Sequence, residues 1–276
     1  MTVALATCSA LPDLFDDDAA LVGALVALGV NAAPVVWDSG ADWGSYDLVV
    51  VRSTWDYTTR LPEFLAWAAS VPRLANPADV LAWNTDKRYL AELAEAGVPV
   101  VETTFVAPGE AFAVPAYEHV VKTTVSAGAR DTRRFAAGSG SDSDSAAFGQ
   151  ALLDAGRHLM VQPYVAALDD VGETSVLHFA GVASHAARKA PVLVPSLGDP
   201  DLVEITSRMA SSSETAVARQ VLDAVPFDEL LYARVDLVPG PDGPLLMELE
   251  VTEPCLFLQQ SPGAVDRFAA AIAARL

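Results

Sequence analysis

The chain has 276 residues, of which 52% are hydrophobic, and its 36 acidic and 17 basic side chains give a formal net charge of −19. This length suits one large domain or two to three small subdomains, and the hydrophobic fraction excludes a disordered chain. The negative charge argues against a nucleic-acid partner, which requires a basic face on the protein.

The apolar runs are too short to cross a bilayer, and the N-terminal stretch MTVALATCSA has no signal-peptide pattern. We therefore expect a cytoplasmic protein without a membrane partner. Cys8 and Cys255 lie far apart and lack metal-ligand spacing, so we expect two reduced structural thiols.

The N-terminal part of the chain alternates between strand and helix patterns. TVALATC, NAAPVVWD and YDLVVVRST predict strands, whereas DDDAALVGALVALGV and LPEFLAWAASV predict helices. Strands that are apolar throughout indicate a parallel sheet covered on both faces. Such sheets bind ligands at the carboxyl ends of their strands, where Arg52, Ser53 and Thr54 follow the third strand.

A third helix pattern, DVLAWNTDKRYLAELAEAGVPV, ends at Gly97 before Pro99. Asn84 or Thr85 is the predicted N-cap, which makes Lys87 a cation in the first turn. The helix dipole disfavours a cation there, so Lys87 either binds an anionic ligand or is an ordinary surface lysine.

Short strand patterns follow (TTFV, HVVKTTV and HLMVQPYV), interrupted by AAGSGSDSDSAAF at 136–148, whose composition predicts a mobile loop. Lys122 follows the apolar residues of the second of these strands and precedes a turn of small residues at 126–129. Such a turn lets backbone N–H groups approach a phosphate, although an ordinary loop has the same pattern. Gln162 and Pro163 interrupt the third strand and predict a bend or hinge between subdomains.

ETSVLHFAGVASHAARKA predicts two strands joined at Ala180-Gly181, and SETAVARQVLDAV predicts a helix after a polar segment. His185 and Arg188 form a basic patch with Lys189 near the end of the second strand. This patch suits either phosphate or carboxylate recognition or a solvated strand end.

The hairpin YARVDLVPGPDGPLLMELE carries an unusual set of charges. A strand's period of two places Arg234 and Asp236 on one face, and pairing about the PGPDGP turn brings Asp236 opposite Glu248 with Glu250 beside it. Carboxylate oxygens in this arrangement suit magnesium. A solvated face with cross-strand ion pairs is the alternative.

In chain order, these motifs resemble the ATP-grasp superfamily. The pattern comprises an Asp-Lys helix start, a Val-Val-Lys strand before a small-residue loop, a Gln-Pro-Tyr-Val connector, Gly-Glu-x-Ser, Arg-x-Asp and a closing Glu-x-Glu. RSTWDYTTRLPEFLAW, NPADVLAWNTDKRYLAELAEAGVPVV, KTTVSAGARDT and MELEVTEPCLFL are similar to the small ATP-grasp ligases that include the O-ureido-serine cyclo-ligase of cycloserine biosynthesis. Two departures are Lys-Thr-Thr in place of Lys-Pro, and Glu250 where the superfamily usually has Asn.

The resemblance implies an α/β (α+β) ATP-grasp fold. It implies an N-terminal parallel α/β subdomain at 1–78 and a catalytic region at 79–276, with a small lid subdomain at about 103–164. In this fold two β-rich subdomains grip ATP between them. The resemblance leaves the oligomeric state open, including a homo-oligomer.

The resemblance also implies roles for individual residues. ATP would contact Lys87, Lys122, a closing loop that includes Ser126, Gly128 and Arg130, and the adenine-side segment Gln162, Pro163, Tyr164 and Val165. Mg²⁺ would bind Asp236, Glu248 and Glu250, and Arg234 would be catalytic, stabilising the transferred phosphate unless it only pairs with Asp236 or Glu248. The substrate would contact Arg52, Ser53, Thr54, Trp55, Asp56, His185, Arg188 and Glu253. The cluster that begins at Arg52 is equally typical of a packed corner.

The implied activity is that of a ligase that uses ATP to convert a substrate carboxylate into an acyl phosphate for attack by a nitrogen nucleophile. The favoured reaction is cyclisation of a small amino-acid derivative such as O-ureido-D-serine to cycloserine. An intermolecular ligase that joins two amino acids or modifies a peptide shares the activation step and stays open. So does a nucleotide-binding regulator without turnover, although such a protein need not keep three candidate metal ligands.

Overall fold

The computed structural model describes residues 1–191, 193, 204–228 and 230–276, which form three β-sheets with helices packed against them. The polar segment predicted after residue 190 lies mostly outside the described residues. Cys8 and Cys255 are both free thiols. Among the described helices, none is both long and apolar enough to span a membrane.

The first sheet is parallel and has the strand order β2-β1-β3-β4. Its elements are β1 (Thr2–Thr7), α1 (Ala19–Ala27), β2 (Asn31–Val36), β3 (Leu48–Ser53), α2 (Leu61–Ser70) and β4 (Leu74–Ala75). Alternate residues of β3 enter different cores, since Val50 packs with Leu21 of α1 and Val49 packs with Phe64 of α2. The prediction of a small parallel α/β unit is therefore confirmed.

The next segment forms two helices, α3 (Ala78–Asn84) and α4 (Tyr89–Glu95), where the sequence pattern predicted one. The chain leaves the helical path at 85–88, and the backbone N–H of Lys87 donates to the carbonyl of Thr124 at 2.8 Å. The prediction of a single helix was wrong because this contact with a distant segment replaces the helical hydrogen bond. The break turns Lys87 inward, where it is only 6% exposed.

The second sheet is antiparallel and has the order β5-β8-β6-β7. Its elements are β5 (Thr104–Val106), β6 (His119–Thr123), β7 (Thr132–Phe135), α5 (Ser139–Asp154) and β8 (Leu159–Pro163). Strand β8 lies inside this sheet, and Pro163 ends it opposite His119. The proline therefore marks the exit of the strand toward the third sheet.

Most of the tract predicted to be a mobile loop at 136–148 is the first part of α5. The helix is anchored by its C-terminal half, where Phe148, Leu152 and Leu153 pack in the core beneath the second sheet. An acid at Asp142 lies in the first turn, where the helix dipole favours negative charge. The loop prediction was wrong because it weighed Gly, Ser and Asp content, whereas tertiary packing of an apolar face decides helix formation.

The third sheet is antiparallel and has the order β11-β10-β9-β12-β13. The elements of this part of the chain are α6 (Leu168–Val171), β9 (Glu173–Phe179), β10 (Val182–Lys189), β11 (Ile205–Arg208), α7 (Ser212–Ala224), β12 (Tyr232–Gly240), β13 (Gly243–Glu250) and α8 (Ala264–Ala273). The predicted turn at Ala180-Gly181 joins β9 to β10. A capping box between Ser211 and Glu214 starts α7.

The first and third sheets share one hydrophobic core. Leu5 of β1 and Leu25 of α1 belong to the same cluster as Phe179 of β9 and Phe268 of α8. Helix α8 therefore returns to the N-terminal sheet and fixes the third sheet against it. The boundary near residue 78 falls between β4 and α3, and the division into domains there stays a prediction.

Candidate active site

A cavity of about 1170 Å³ lies where the three sheets face one another. Both lysines and most of the other predicted site residues line it, although they are distant in sequence. The predicted residues on its wall are Trp55, Lys87, Lys122, Ser126, Gly128, Arg130, Gln162, Pro163, Tyr164, Val165, Arg234, Glu248, Glu250 and Glu253.

The register of β12 with β13 sets the charged face of the cavity. Asp236 lies opposite Glu248, and Arg234 lies opposite Glu250, as the period of two predicts. A bulge in the register follows Asp236, so the two strands pair differently toward the turn. The predicted convergence of Arg234 with these carboxylates is therefore present.

Each glutamate of the pair has a different side-chain cation as its partner. Lys87 Nζ lies 3.0 Å from Glu248 Oε1, and Arg234 Nη2 lies 2.5 Å from Glu250 Oε1. Arg234 Nη2 also lies 2.8 Å from Asp236 Oδ2. The ion pairs expected as the alternative for Arg234 exist, with Glu250 as a partner instead of Glu248.

Asp236 lies behind the cavity wall and is 1% exposed. Its Oδ1 accepts hydrogen bonds from Ser175 Oγ at 2.6 Å and from Arg234 Nε at 2.9 Å. Burial opposes ionisation of Asp236, but Arg234 and Lys189 outweigh it and bring the pKa to about 2. Asp236 therefore stays charged and holds the Arg234 guanidinium in place.

Burial and carboxylate crowding act on the other acids of the cavity. Burial raises the pKa of Glu250 to about 7, and Glu248 adds to this effect while Arg234 opposes it. Burial, followed by the charge of Glu250, raises the pKa of Glu253 to about 8. The pKa of Glu248 is lowered instead, because Lys87 and Lys122 overcome the effect of its burial. This wall therefore carries carboxylates that an additional cation would stabilise.

The carboxylates offer the hard oxygen atoms that magnesium prefers. Within the residues that the structure describes, no group of three potential ligands is assembled around one point. The oxygen atoms of Asp236 are occupied by Ser175 and Arg234, whereas Glu248 and Glu250 face the cavity. The donor types fit magnesium, and the role of these three residues as its ligands stays a prediction.

Lys122 is the next-to-last residue of β6 and lines the cavity, with 9% of the residue exposed. Within the described part of the chain, this ammonium group forms no hydrogen bond or ion pair. Burial lowers the pKa of Lys122, and the charge of Glu248 only partly offsets that effect. Lys87, by contrast, also donates to the carbonyl of Ser126 at 2.8 Å. Lys122 is therefore a buried cation of the cavity that forms no salt bridge with any of the described residues.

The segment predicted to contact adenine runs along the opposite wall. Gln162 Nε2 donates to Thr103 Oγ1 at 2.9 Å, and the guanidinium carbon of Arg134 lies 3.4 Å from the centre of the Tyr164 ring. These contacts fix the strand exit that follows β8. The four residues of this segment line the cavity, where a flat ligand can pack against them.

Several residues predicted to contact substrate lie off the cavity wall. Arg52 is 1% exposed, pairs with Asp18 at 3.1 Å and donates to the carbonyl of Pro254 at 2.7 Å. Ser53 Oγ accepts from the backbone N–H of Phe15 at 3.0 Å. The packed corner, which was the alternative for this cluster, is what the structure contains.

Four more of the predicted substrate residues lie off the cavity wall and are buried or bonded within the protein, namely Thr54, Asp56, His185 and Arg188. Thr54 is fully buried, and Asp56 Oδ1 accepts from Trp37 Nε1 at 3.0 Å. His185 Nε2 lies 2.9 Å from the carbonyl of Leu256, and Arg188 Nε donates to the carbonyl of Val171 at 2.5 Å. These contacts occupy polar atoms of Asp56, His185 and Arg188, whereas Thr54 Oγ1 is buried without a hydrogen-bond partner in the described structure. Trp55 and Glu253 are the predicted substrate residues that reach the cavity.

Sequence reasoning missed a further ion pair on the wall, between Lys189 and Glu173. Lys189 Nζ lies 3.1 Å from Glu173 Oε2, and both residues line the cavity. The predicted hairpin about Ala180-Gly181 could have revealed this ion pair. Continuing the pairing of β9 with β10 away from the turn places Lys189 opposite Glu173, with one bulge on the way. Asp17 was also missed, and its place in the short helix at 16–18 before α1 gave no pattern that distinguishes it from Asp16 or Asp18.

Comparisons with known proteins give close relatives over the whole chain. Residues 3–76 match the family described as D-cycloserine synthetase DcsG, N-terminal domain. The cycloserine biosynthesis protein DcsG of Streptomyces lavendulae is 39% identical over 279 residues, which cover 93% of this chain and 92% of that protein. A crystal structure of D-cycloserine synthetase DcsG has a TM-score of 0.90 at 35% identity and covers 100% of this chain and 99% of its own.

Two crystal structures of the D-alanine–D-alanine ligase of Bacillus anthracis, one of them complexed with ATP, have TM-scores of 0.70 and 0.68. Each covers 100% of this chain and 97% of its own at 11% identity. At that identity the likeness concerns the fold alone.

Proposed function

The chain belongs to the family of ATP-grasp ligases that contains D-cycloserine synthetase, and from this membership we propose that it converts O-ureido-D-serine to cycloserine. The ATP-grasp fold and the activity of an ATP-dependent ligase follow from the family itself. The substrate, the metal and the roles of single residues belong to the proposal.

One observation carries the proposal. The buried ammonium group of Lys122 lacks a partner anion within the described residues, and it shares a cavity with Arg234 and with carboxylates of raised pKa. A buried cation without a partner is unfavourable, so its natural complement is an anion such as the triphosphate of ATP. Lys87 lies beside it, and the loop from Ser126 to Arg130 can close over the same phosphates.

The remaining groups have complementary roles. The backbone from Gln162 to Val165 would contact adenine, and Asp236, Glu248 and Glu250 would hold magnesium after Asp236 exchanges its contact with Arg234. Bound there, magnesium would neutralise charge on the transferred phosphate. Arg234 carries a planar fork of donors that suits both a phosphate and the oxyanion that forms at the acyl carbon.

The reaction needs positioning and charge compensation more than a covalent catalyst. The substrate carboxylate attacks the γ-phosphate, and ADP leaves. The nitrogen bonded to the side-chain oxygen then attacks the acyl phosphate carbon, the C–N bond closes a five-membered ring and phosphate leaves. Hydrolysis of the carbamoyl group with one water then gives cycloserine, carbon dioxide and ammonia.

The test is incubation of the purified protein with magnesium, ATP and O-ureido-D-serine, with ADP and cycloserine measured in the same sample. Equal amounts of the two products are expected. ADP release that requires an added amino acid or amine would instead identify an intermolecular ligase. ATP binding without ADP release, with this compound and with added acceptors, would identify a regulator.

A further inference from the structure

We propose that Asp17 binds the α-ammonium group of the substrate while Arg234 faces its carboxylate, so that together they select an α-amino acid. This inference rests on the proposed function and assigns a specificity residue within the same cavity. Its basis is the placement, burial and charge of Asp17, together with the aromatic rings beside it.

Asp17 lies in the turn between β1 and α1 and is 8% exposed, yet it forms part of the cavity wall. Its Oδ1 accepts from the backbone N–H of Gln259 at 3.2 Å, and Cys255 Sγ lies 3.6 Å from its Oδ2. A thiol is a weak donor, so most of the hydrogen-bonding capacity of Oδ2 stays available to a ligand. The backbone contact meanwhile fixes the carboxylate at the wall.

The charges around Asp17 do not balance. The neighbouring Asp18 takes the hydrogen bonds from Arg52 Nε at 3.1 and 3.2 Å. Asp17 itself forms no ion pair within the described part of the chain. Of these two buried carboxylates, Asp18 is paired with the Arg52 guanidinium, and within the described residues the charge of Asp17 has no paired cation. A cationic group of a ligand compensates it.

Two aromatic rings provide an independent preference for a cation at this end of the cavity. Phe15 and Trp55 line the wall near Asp17, and their ring centres lie 5.0 Å apart. Trp55 Nε1 donates to the carbonyl of Glu253 at 3.2 Å, which holds its ring in place. Aromatic faces attract ammonium groups through their quadrupole. The carboxylate and the rings therefore favour the same kind of ligand.

Cys255 connects Asp17 to the proposed reaction centre. Its thiol contacts Asp17, and its backbone carbonyl accepts from Arg234 Nη1 at 3.1 Å. Cys255 alone thus separates the Asp17 carboxylate, which would bind the ammonium group of the substrate, from the Arg234 guanidinium, which would face its carboxylate. The amino and carboxyl groups of an α-amino acid are separated by one carbon atom, so such a substrate can reach both partners.

The experiment compares two substrates in three proteins. The substrates are O-ureido-D-serine and the same molecule with hydrogen in place of the α-amino group, and kcat and KM are followed by ADP release. The proteins are wild type, Asp17→Asn and Asp13→Asn, the last being an exposed acid of the same loop outside the cavity. Wild type and Asp13→Asn should prefer the amino compound about 10- to 100-fold in kcat/KM.

Asp17→Asn should lose most of that preference through a higher KM for the amino compound, with the KM for ATP unchanged. A folded Asp17→Asn protein that keeps the wild-type preference would overturn the inference. If this variant does not fold, the wild type alone decides, because equal use of both compounds would also overturn it. Wild-type protein that releases ADP with neither compound would refute the proposed function itself.

Discussion

Glu248 contacts Lys87, the side chain that also reaches the carbonyl of Ser126, and so it links β13 to the loop after β6. Removing the charge of Glu248 should affect both the ion pair with Lys87 and the proposed magnesium site. The buried ammonium group of Lys87 loses its counterion, and the cavity loses one of the oxygen donors that would hold magnesium. Such a change should impair phosphoryl transfer more than it impairs folding.

We expect Glu248→Gln to lower the rate of ADP release by about 100-fold or more, since preorganised charge accounts for effects of this size. The magnesium concentration that gives half the maximal rate should also rise, which a purely structural defect would not cause. Glu92→Gln is the matched control, because Glu92 is exposed on α4 and lies outside the cavity. Near-normal turnover and magnesium dependence in Glu248→Gln would refute the assignment of this residue.

A buried histidine outside the cavity should control stability in acid. His178 is 5% exposed in β9, and burial, reinforced by Arg219, lowers its pKa from 6.5 to about 4. Above pH 6.5 the imidazole is neutral in both the folded and the unfolded chain, so it contributes no pH dependence. Between pH 6.5 and 4 only the unfolded chain takes up the proton, which should reduce the free energy of unfolding by up to about 3 kcal/mol.

Urea unfolding at pH 7.5, 6 and 4.5 checks this expectation in wild type and in His178→Gln. The free energy of unfolding should fall less with acid in the variant, and the difference between the proteins isolates this group from the carboxylates. Parallel curves for the two proteins would show that His178 takes up its proton equally in both states.

At the scale of elements, the loop between β6 and β7 owes its shape to unusual backbone angles. Gly128, Ala129 and Asp131 have φ values of 62°, 56° and 54°. A left-handed backbone exposes N–H groups on one side, which suits close approach to phosphate oxygens. Glycine removes the side chain at one of these positions, on the cavity wall.

We expect Gly128→Val to raise the KM for ATP about tenfold or more, as loss of a charge-assisted hydrogen bond would. A side chain there meets no neighbour within 4 Å, so the effect would come from backbone strain and from blocked access by phosphate. Gly109→Val is the matched control, since Gly109 has φ 88°, has the same free space and lies outside the cavity. Equal KM values for the two variants would contradict a phosphate-binding role for the loop.

The elements that the sequence predicted well are those fixed by local period. The period of two in YARVDLV and LLMELEV determines that Asp236 faces Glu248, because the short turn between the strands leaves little freedom in register. The parallel strands of the first sheet were equally clear from their apolar runs. In both cases the signal lies within a few residues of the feature it predicts.

The features that sequence reasoning missed depend on contacts between distant segments. Lys87 leaves a helical path to reach Thr124, and the serine-rich start of α5 is helical because residues beyond Phe148 enter a core. Arg52 was predicted to face substrate, yet the partner that buries it, Asp18, lies 34 residues earlier in the chain. Composition and period within one segment contain no information about such partners.

At the scale of the whole molecule, the three sheets differ in how firmly they are joined. The first and third share a core through α8. The second has its own core around Val121, Phe135 and Leu159, and it meets a core of third-sheet residues through Met160 of β8. A contact of Arg130 Nη1 with Thr58 Oγ1 at 3.4 Å connects the loop after β6 to the short helix at 55–59 that follows β3. A ligand that contacts all three walls should therefore join the second sheet to the rest.

We expect ATP with magnesium to stabilise the molecule as one unit. At 100 times its dissociation constant, a ligand that binds only the folded state adds about 2.7 kcal/mol, which should raise Tm by about 5–10 °C for a chain of this size. Lys122→Met should abolish most of the shift, since Lys122 is the buried cation that lacks a partner in the described structure. Arg73→Met, which removes an exposed cation of the first sheet outside the cavity, should preserve it. An equal Tm shift in Lys122→Met and Arg73→Met would show that ATP binds without Lys122. The buried ammonium group of Lys122 would then need a different ligand.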